Sequence, residues 1–352
     1  MARPSTASGR PNLEQVAARA GVSRATVSRV VNGWTSVAPE LRERVERAVA
    51  ELGYVPNSAA RALVTRRSDT VALVASEPDV RVFGDPFFSA IVRGVSQELI
   101  GAGIQLTLMM AQSFPDLARI ERYLRSAPID GVLLISEHAG QDPLPAAMRE
   151  AGVPIVIGGR PMPPTPAVPY VDNDNVGGGR LAADHLLAIG RRVIGTVTGP
   201  LDMSAGVDRL AGFSSVLGAA LPPERVESAD FTQAGAEEAT QRLLNRVPQL
   251  DGLFVASDLM ALGASRALRR AGRRVPDDVA LVGFDDSELA QSADPPLTTI
   301  RQQTVLQGRA MVRLFLALTR PEFPLVPDAE LPDFVGLERL VLPVELVVRD
   351  SA

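Results

Sequence analysis

Two short helical periods that meet at a glycine, within Asn12–Asn32 (NLEQVAARAGVSRATVSRVVN), constrain this chain more than any other stretch. In the first, Leu13, Val16, Ala17 and Ala20 fall on one face at helical spacing. Asn12 is placed to cap that helix, and Gln15 stands three residues later, the spacing of a capping box. Gly21 follows the last periodic residue, where a helix often ends in a left-handed residue. Ser23 then caps a second helix that turns Val27, Val30 and Val31 inward and Arg24, Thr26, Ser28 and Arg29 toward other faces. A helix-turn-helix needs a small residue where its helices cross, a glycine in the turn and a branched apolar residue on the second helix; Ala17, Gly21 and Val27 supply them. A helical hairpin buried in a core fits poorly, because the polar face is Arg, Thr and Ser, with acid only at Glu14.

Charge supports the same assignment. All 36 basic residues are arginine. Residues 1–67 carry eleven arginines against five glutamates, a net charge of +6; the whole chain is at −5, which leaves −11 for the rest. A basic head on an acidic body suits phosphate contact by one end only.

Residues 1–11 have no periodicity and are expected to be a disordered arm. Beyond the paired helices comes the loop 33–37 with Trp34, the only tryptophan, expected to cover the small core, the alternative being a surface contact to the DNA backbone. A third helix is expected from Pro39, at its first position, with Ala38 a weak cap. Leu41, Val45, Val49 and Leu52 form its stripe, and Gly53 ends it. Asn57 can cap a segment over Ser58–Val64 that is too short to be helical alone in water.

From Thr70 the pattern alternates. Strands are expected at Val71–Ala75, Gln105–Met109, Gly131–Ile135 and Pro154–Ile157, with helices at Phe88–Ala102, Asp116–Ser126 and Leu144–Ala151 between them. A second series has helix 176–189, strand Val193–Val197, helices 207–220 and 234–246, strand Gly252–Ala256, helix 258–271 and strand Val279–Gly283. Such repetition builds buried parallel sheets with helices on both faces. Thr298–Arg301 and the tail Leu340–Val348 are expected to cross back between the lobes. Two doubly wound lobes leave a cleft at their strand ends, where such sheets bind ligands. Asp285, directly after VALVGF, can accept two hydroxyl hydrogen bonds there. Arg209, in GVDRLAGF, offers a forked donor set suited to vicinal hydroxyls.

Catalysis is poorly provided for. The chain has no cysteine and two histidines, His138 and His185. It shows no nucleophile elbow and no metal-ligand spacing. GGGR at 177–180 lacks the strand turn of a nucleotide fingerprint. No catalytic residue, metal or cofactor is expected, and Asp258 reads as a helix N-cap. The N-terminus MARPSTASGRP is polar and no apolar run is long enough to span a membrane, so a cytoplasmic protein without membrane contact is expected.

The stretches AGVSRATVSRVVN and RERVERAVAELGYVPNSAARAL resemble the DNA-binding head of the LacI/GalR (lactose-repressor/purine-repressor) family of transcriptional regulators. PYVDNDNVGGGRLAADHL, GPLDMSAGVDRLAGF, DLMALGASRAL, VPDDVALVGFDDSELA and PPLTTIRQ are similar, in order, to that family's effector domain. The likeness runs from about Asn12 to Asp350. It implies an α/β protein with a three-helix helix-turn-helix head and hinge, followed by a two-lobed, periplasmic-binding-protein-like effector domain. The expected division is an arm at 1–11, the head at 12–56, hinge and linker at 57–69 and the effector and dimerisation domain at 70–352. Within that domain, lobe 1 takes about 70–172 and 300–325, and lobe 2 about 173–299 and 326–352.

The resemblance implies a homodimeric repressor on a pseudo-palindromic DNA operator, released by a small-molecule effector, most simply a sugar. Arg24, Ala25 and Arg29 would face the major groove, and Ser23, Thr26 and Asn32 would contact phosphates. Asn57 and Leu63 would belong to the hinge, with Leu63 wedged into the minor groove. Arg209 and Asp285 align with effector-binding positions. Phe231 aligns with an aromatic on which sugar rings stack, and Phe87 and Phe88 with residues facing the ligand from the other lobe. Two positions depart from the pattern. Ser257 stands where several sugar-binding members carry asparagine, and Arg160 where better-known members carry aspartate. The opposing interpretation, a sugar-binding protein or sugar enzyme with an accidental helical head, has no use for residues 12–64.

Overall fold

A computed structural model describes residues 11–31, 36–55, 67–165, 167–320, 322–325, 331, 334, 336 and 338–352, without the side chain of Phe114. Asn32, Trp34, Asn57, Leu63 and the expected hinge segment lie outside these residues. The chain forms two compact units, Met1–Ser68 and Asp69–Ala352.

The first unit holds helices α1 (Leu13–Ala20), α2 (Arg24–Val31) and α3 (Pro39–Leu52). The capping box at the start of α1 is complete: Gln15 N donates to Asn12 Oδ1 and Asn12 N to Gln15 Oε1, both at 2.9 Å. Gly21 ends the helix with φ 64°, a conformation that costs any residue with a Cβ. Ser23 Oγ accepts from Thr26 N at 3.1 Å and so caps α2. Val16, Ala17, Ala20, Val27, Val30, Val45, Ala48 and Tyr54 form the core. Arg44, unremarkable in sequence, completes the turn: its Nη2 donates to Ala20 O at 2.6 Å and Gly21 O at 3.2 Å, satisfying carbonyls that the helix end leaves open.

The second unit contains two six-stranded sheets. The first runs in the order β11-β5-β4-β3-β1-β2, from β1 (Thr70–Ala75), β2 (Gln105–Met110), β3 (Gly131–Ile135), β4 (Ile155–Gly158), β5 (Tyr170–Asn173) and β11 (Arg339–Leu342), all parallel. The second runs β12-β10-β9-β8-β6-β7, from β6 (Ile194–Thr198), β7 (Val226–Ser228), β8 (Gly252–Val255), β9 (Ala280–Asp285), β10 (Thr298–Arg301) and β12 (Glu345–Val347). Its edge strand β12 is antiparallel to β10.

Strand residues alternate between two cores, as a pleated strand buried on both faces requires. Val71, Leu73 and Ala75 pack with Phe88, Ile91 and Phe315, whereas Ala72 and Val74 pack with Leu117, Leu144 and Met148.

Two of the expected lobe boundaries move. The sequence places 326–352 together in the second lobe, but β11 pairs with β5 in the first sheet. Leu340 and Leu342 enter the first lobe's core while Arg339 and Val341 stay exposed. Pro343, which cannot donate to a ladder, divides the apolar tail into two strands, one for each sheet. Likewise β10 lies wholly in the second sheet, so the chain crosses near Gln302 rather than at 300. The strand Tyr170–Asn173 and the helices Asp79–Gly84 and Thr304–Thr319 were not anticipated. Among the described residues no helix is long and apolar enough to cross a membrane.

Candidate functional site

In the head, α2 presents one outward face. At about 100° per residue, Arg24, Ala25, Ser28 and Arg29 fall within an arc of roughly 140°, opposite the buried Val27 and Val30. Arg24, Ala25 and Arg29 are exposed. Arg24 Nη1 lies 3.6 Å from Glu14 Oε1, with both side chains largely in water, a weak pair that can yield to a stronger anion. The hydroxyls of Ser23 and Thr26 meet at 2.9 Å at the N-terminal end of α2, where backbone N–H groups favour negative charge.

In the body, a cavity open to solvent lies at the strand ends of both sheets. Five of the seven expected effector residues line it: Phe87, Arg160, Arg209, Phe231 and Asp285.

Arg209, on helix Ser204–Leu217, is buried. Its Nε donates to Asn175 Oδ1 at 2.9 Å and its Nη1 to Ala256 O at 2.5 Å, and Nη1 lies 3.8 Å from Asp285 Oδ1. That ion pair stays within the second lobe; it is not a bridge between lobes. The guanidinium carbon sits 3.6 Å from the ring centre of Phe284, a cation–π contact beneath the cavity floor. Burial pushes the Arg209 pKa down, opposed first by the charge of Asp285.

Asp285 ends β9 with φ 119°, and Phe231 has φ 60°. Left-handed backbone at non-glycine residues costs energy and clusters at working sites. Asp285 Oδ1 accepts from Gln302 Nε2 at 2.6 Å. Burial holds its carboxyl well above the ordinary range, opposed by Arg209.

Arg160 follows β4 and reaches across to the second lobe, where its Nε and Nη2 fork onto the two oxygens of Asp208 at 2.9 and 2.7 Å. Its fork is thus already occupied by a carboxylate. Its backbone N donates to Asp172 Oδ2 at 3.2 Å, and burial raises the Asp172 carboxyl to about 6.

Phe88 and Ser257 do not line the cavity. Phe87 and Phe88 are consecutive on helix Pro86–Gly101 and point about 100° apart. Phe87 faces the cavity, while Phe88 turns into the core with its ring edge-on to Phe87 at 5.3 Å. Ser257 is spent on capping helix Asp258–Arg270, accepting from Met260 N at 3.2 Å. Ser257, and not Asp258, is therefore the N-cap. Asp258 is fully buried: Oδ2 accepts from Ser287 N at 2.8 Å and Ser287 Oγ at 3.0 Å, and Oδ1 accepts from Thr299 Oγ1 at 2.6 Å. Burial raises its carboxyl to about 7.

The cavity also takes residues that sequence reasoning did not single out, among them Arg81, Asp85, Glu137, Asp172, Asn175 and Gln302. Asp85 caps helix Pro86–Gly101, accepting from Phe87 N at 3.0 Å. Glu137, Asp172, Asn175 and Gln302 share one signal, a polar residue at or just past the end of a parallel strand. The lining thus holds three arginines, four carboxyl groups and several amides, with Phe87 and Phe231 as aromatic walls. Paired charges and closely set donors and acceptors suit an uncharged, hydroxyl-rich ligand. Among the described residues no group of His, Asp and Glu is placed to hold a metal ion.

Comparison with known proteins gives concordant results. Residues 12–57 match the family described as bacterial regulatory proteins, lacI family, and residues 183–352 match the periplasmic binding protein-like domain. The chain is 49% identical over 346 residues to the HTH-type transcriptional regulator CelR of Thermobifida fusca, covering 97% of this chain and 98% of that protein. It is 32% identical over 343 residues to the ribose operon repressor of Halalkalibacterium halodurans, covering 96% of each. Among solved structures, it matches a CelR–cellobiose complex with TM-score 0.75 and 47% identity, covering 97% of this chain and all of that one. It also matches the Lac repressor dimer bound to operator and the anti-inducer ONPF, with TM-score 0.81 and 30% identity over 97% of this chain and 99% of that one.

Proposed function

The chain belongs to the lacI family of bacterial regulatory proteins, and on that premise we propose that it is a cytoplasmic, homodimeric repressor released from its operator by a sugar bound between the lobes. One observation carries this: a single chain joins a helix-turn-helix whose second helix exposes two arginines to a cleft lined by polar side chains and two aromatic rings. Cellobiose is the first effector to try, because a relative at 47% identity was solved as its cellobiose complex.

In this account the dimer places two copies of α2 on a pseudo-palindromic site. Arg24, Ala25 and Arg29 read base edges, and Ser23, Thr26 and Asn32 hold phosphates. Asn57 caps a hinge segment whose Leu63 enters the minor groove. In the cleft, Asp285 and Arg209 read hydroxyls while Phe231 and Phe87 flank the ring. A sugar acts only through its differential affinity for two arrangements of the dimer, and reversing a 1:99 ratio takes roughly 5.5 kcal/mol. A gel-shift assay with genomic fragments, with and without cellobiose, tests the proposal. Retarded fragments released by cellobiose are expected. A protein that retards no fragment in either condition is not a DNA-binding repressor, and retardation indifferent to cellobiose removes that sugar as effector.

A further inference from the structure

One edge of the cleft is closed by ionisable groups. His138 stands in the loop after β3, in the first lobe. Its Nδ1 lies 2.8 Å from Asp202 Oδ2 and its Nε2 3.2 Å from Glu77 Oε1. Asp202 precedes helix Ser204–Leu217 of the second lobe, so the imidazole spans the two lobes. Two further bonds reach the same aspartate: Ala139 N donates to Asp202 O at 2.8 Å, and Gln141 Nε2 to Asp202 Oδ2 at 3.0 Å. Glu77 is buried and shared with Arg81, whose guanidinium lies 4.9 Å from the ring centre of Phe231. Arg81 and Phe231 both line the cavity. A continuous path, His138 to Glu77 to Arg81 to Phe231, therefore joins the edge of the cleft to its aromatic wall.

The chemistry of this bridge depends on one proton. A neutral imidazole donates from one nitrogen and presents a lone pair at the other, whereas imidazolium donates from both. With a carboxylate at each nitrogen, only the charged form satisfies both. Glu137 and Asp142 add negative charge from the same loop, Asp142 accepting from Ser76 Oγ at 2.6 Å, and Arg81 is the neighbouring cation. The bond to Glu77 raises the His138 pKa above its ordinary value, burial opposes it, and the bond to Asp202 adds to the rise.

We propose that His138 is a proton-dependent clasp between the lobes: closing the cleft takes up a proton there, so a ligand held in the closed cleft binds more tightly at acid than at alkaline pH. A histidine favoured in its charged form stabilises closure fully below the pKa of the open state and loses that effect as pH rises through the closed-state pKa. The clasp rests on the sugar-effector proposal only in the choice of cellobiose as probe.

Two readouts test it on the full-length protein. The chain has two histidines, so in a protein carrying ¹³C-labelled histidine the resonance absent from His138→Gln is that of His138. It is expected to titrate above the ordinary value of about 6.5 and to fall toward that value in Asp202→Asn. Titration at or below the ordinary value, or indifference to Asp202→Asn, overturns the clasp. Cellobiose affinity is then measured by calorimetry from pH 6 to pH 9. The wild-type Kd is expected to rise by up to about tenfold for each unit separating the open- and closed-state values, while His138→Gln stays flat. A flat wild-type profile, or a variant that follows the wild type, contradicts the proposal. If His138→Gln fails to fold, His185→Gln leaves the His138 resonance alone in the spectrum, and Asp202→Asn serves in both readouts. Should cellobiose bind at no pH, the effector assignment fails, and the resonance titration with Asp202→Asn still decides the clasp.

Discussion

The two units of this chain solve opposite problems. Among the described residues the head has a core of eight buried apolar residues and leaves Arg24, Ala25 and Arg29, the groups proposed to read DNA, in water. Small domains bury little of their surface, so its shape leans on caps and on contacts such as Arg44 to the turn. Among its described residues the body has four large core clusters, and it buries the carboxyl groups of the proposed site until their ionisation shifts. An exposed arginine on α2 can be removed without strain. A buried carboxylate at a strand end cannot, since its partner is then left unpaired in a low-dielectric site. Substitutions in the head should therefore change what DNA is read, whereas substitutions in the cleft should change whether the ligand signal exists.

The sharpest break between the units is expected from Asp285→Ala. It strands Arg209, and losing one partner of a buried pair costs about 3–5 kcal/mol. Cellobiose binding should fall by more than a hundredfold by calorimetry, while operator affinity in a gel shift stays within about 0.5 kcal/mol. A variant that still leaves the operator at wild-type sugar concentrations would remove Asp285 from the site.

The units should also separate by pH. Asp172 has a folded value of about 6 against an ordinary 3.8. Its protonated form is favoured by folding, so its contribution is complete below the unfolded value and lost as pH rises through about 6. Asp258 acts in the same sense over a window reaching about 7. The body should lose on the order of 2 kcal/mol between pH 4 and pH 8 from such a group. The capping box of the head is made of neutral amides and gives no such slope. Calorimetric unfolding across this range checks it; a body more stable at pH 8 than at pH 5 would contradict the assignment.

Gly21→Val should act on the head alone. It forces a branched residue to φ 64° with its Cβ 2.6 Å from Arg44 Nη2, at a cost of about 1–3 kcal/mol. Denaturant unfolding followed by fluorescence of Trp34, the chain's only tryptophan, should shift while the body's circular-dichroism transition stays in place. Arg24→Ala is the subtlest. It should cost about 1–3 kcal/mol on the preferred operator and relax base preference there, with folding unchanged. An unaltered profile on a randomised operator library would exclude Arg24 from base reading.

What was legible in the sequence divides along the same line. The head could be read locally, because caps, glycines and a 3.6-residue period act over three or four residues: Asn12 with Gln15, Gly21 and Ser23 all stand where spacing put them. Arg44 escaped because its target is 23 residues away. In the body most strands and helices were legible from alternation, but Tyr170–Asn173, Asp79–Gly84 and Thr304–Thr319 were not, and neither was cleft membership. Phe87 and Phe88 cannot be told apart without the helix phase. Ser257 is indistinguishable from a ligand contact until its hydroxyl is seen capping a helix. Asp208 gives no sign in sequence that Arg160, 48 residues earlier, will fork onto it. The tail beyond Leu340 was expected to cross between the lobes, and only the pairing of β11 and β12 shows that it divides at Pro343 to serve both sheets.

Sugar and operator are expected to compete through one conformational equilibrium, and reciprocity is its test. Operator Kd would be measured with and without saturating cellobiose, and cellobiose Kd with and without saturating operator, on the same full-length protein. Linkage requires the two ratios to be equal, and both affinities are predicted to weaken by one common factor. An operator Kd unchanged by cellobiose that does bind the protein would show that cleft and head are not coupled, and would contradict the account.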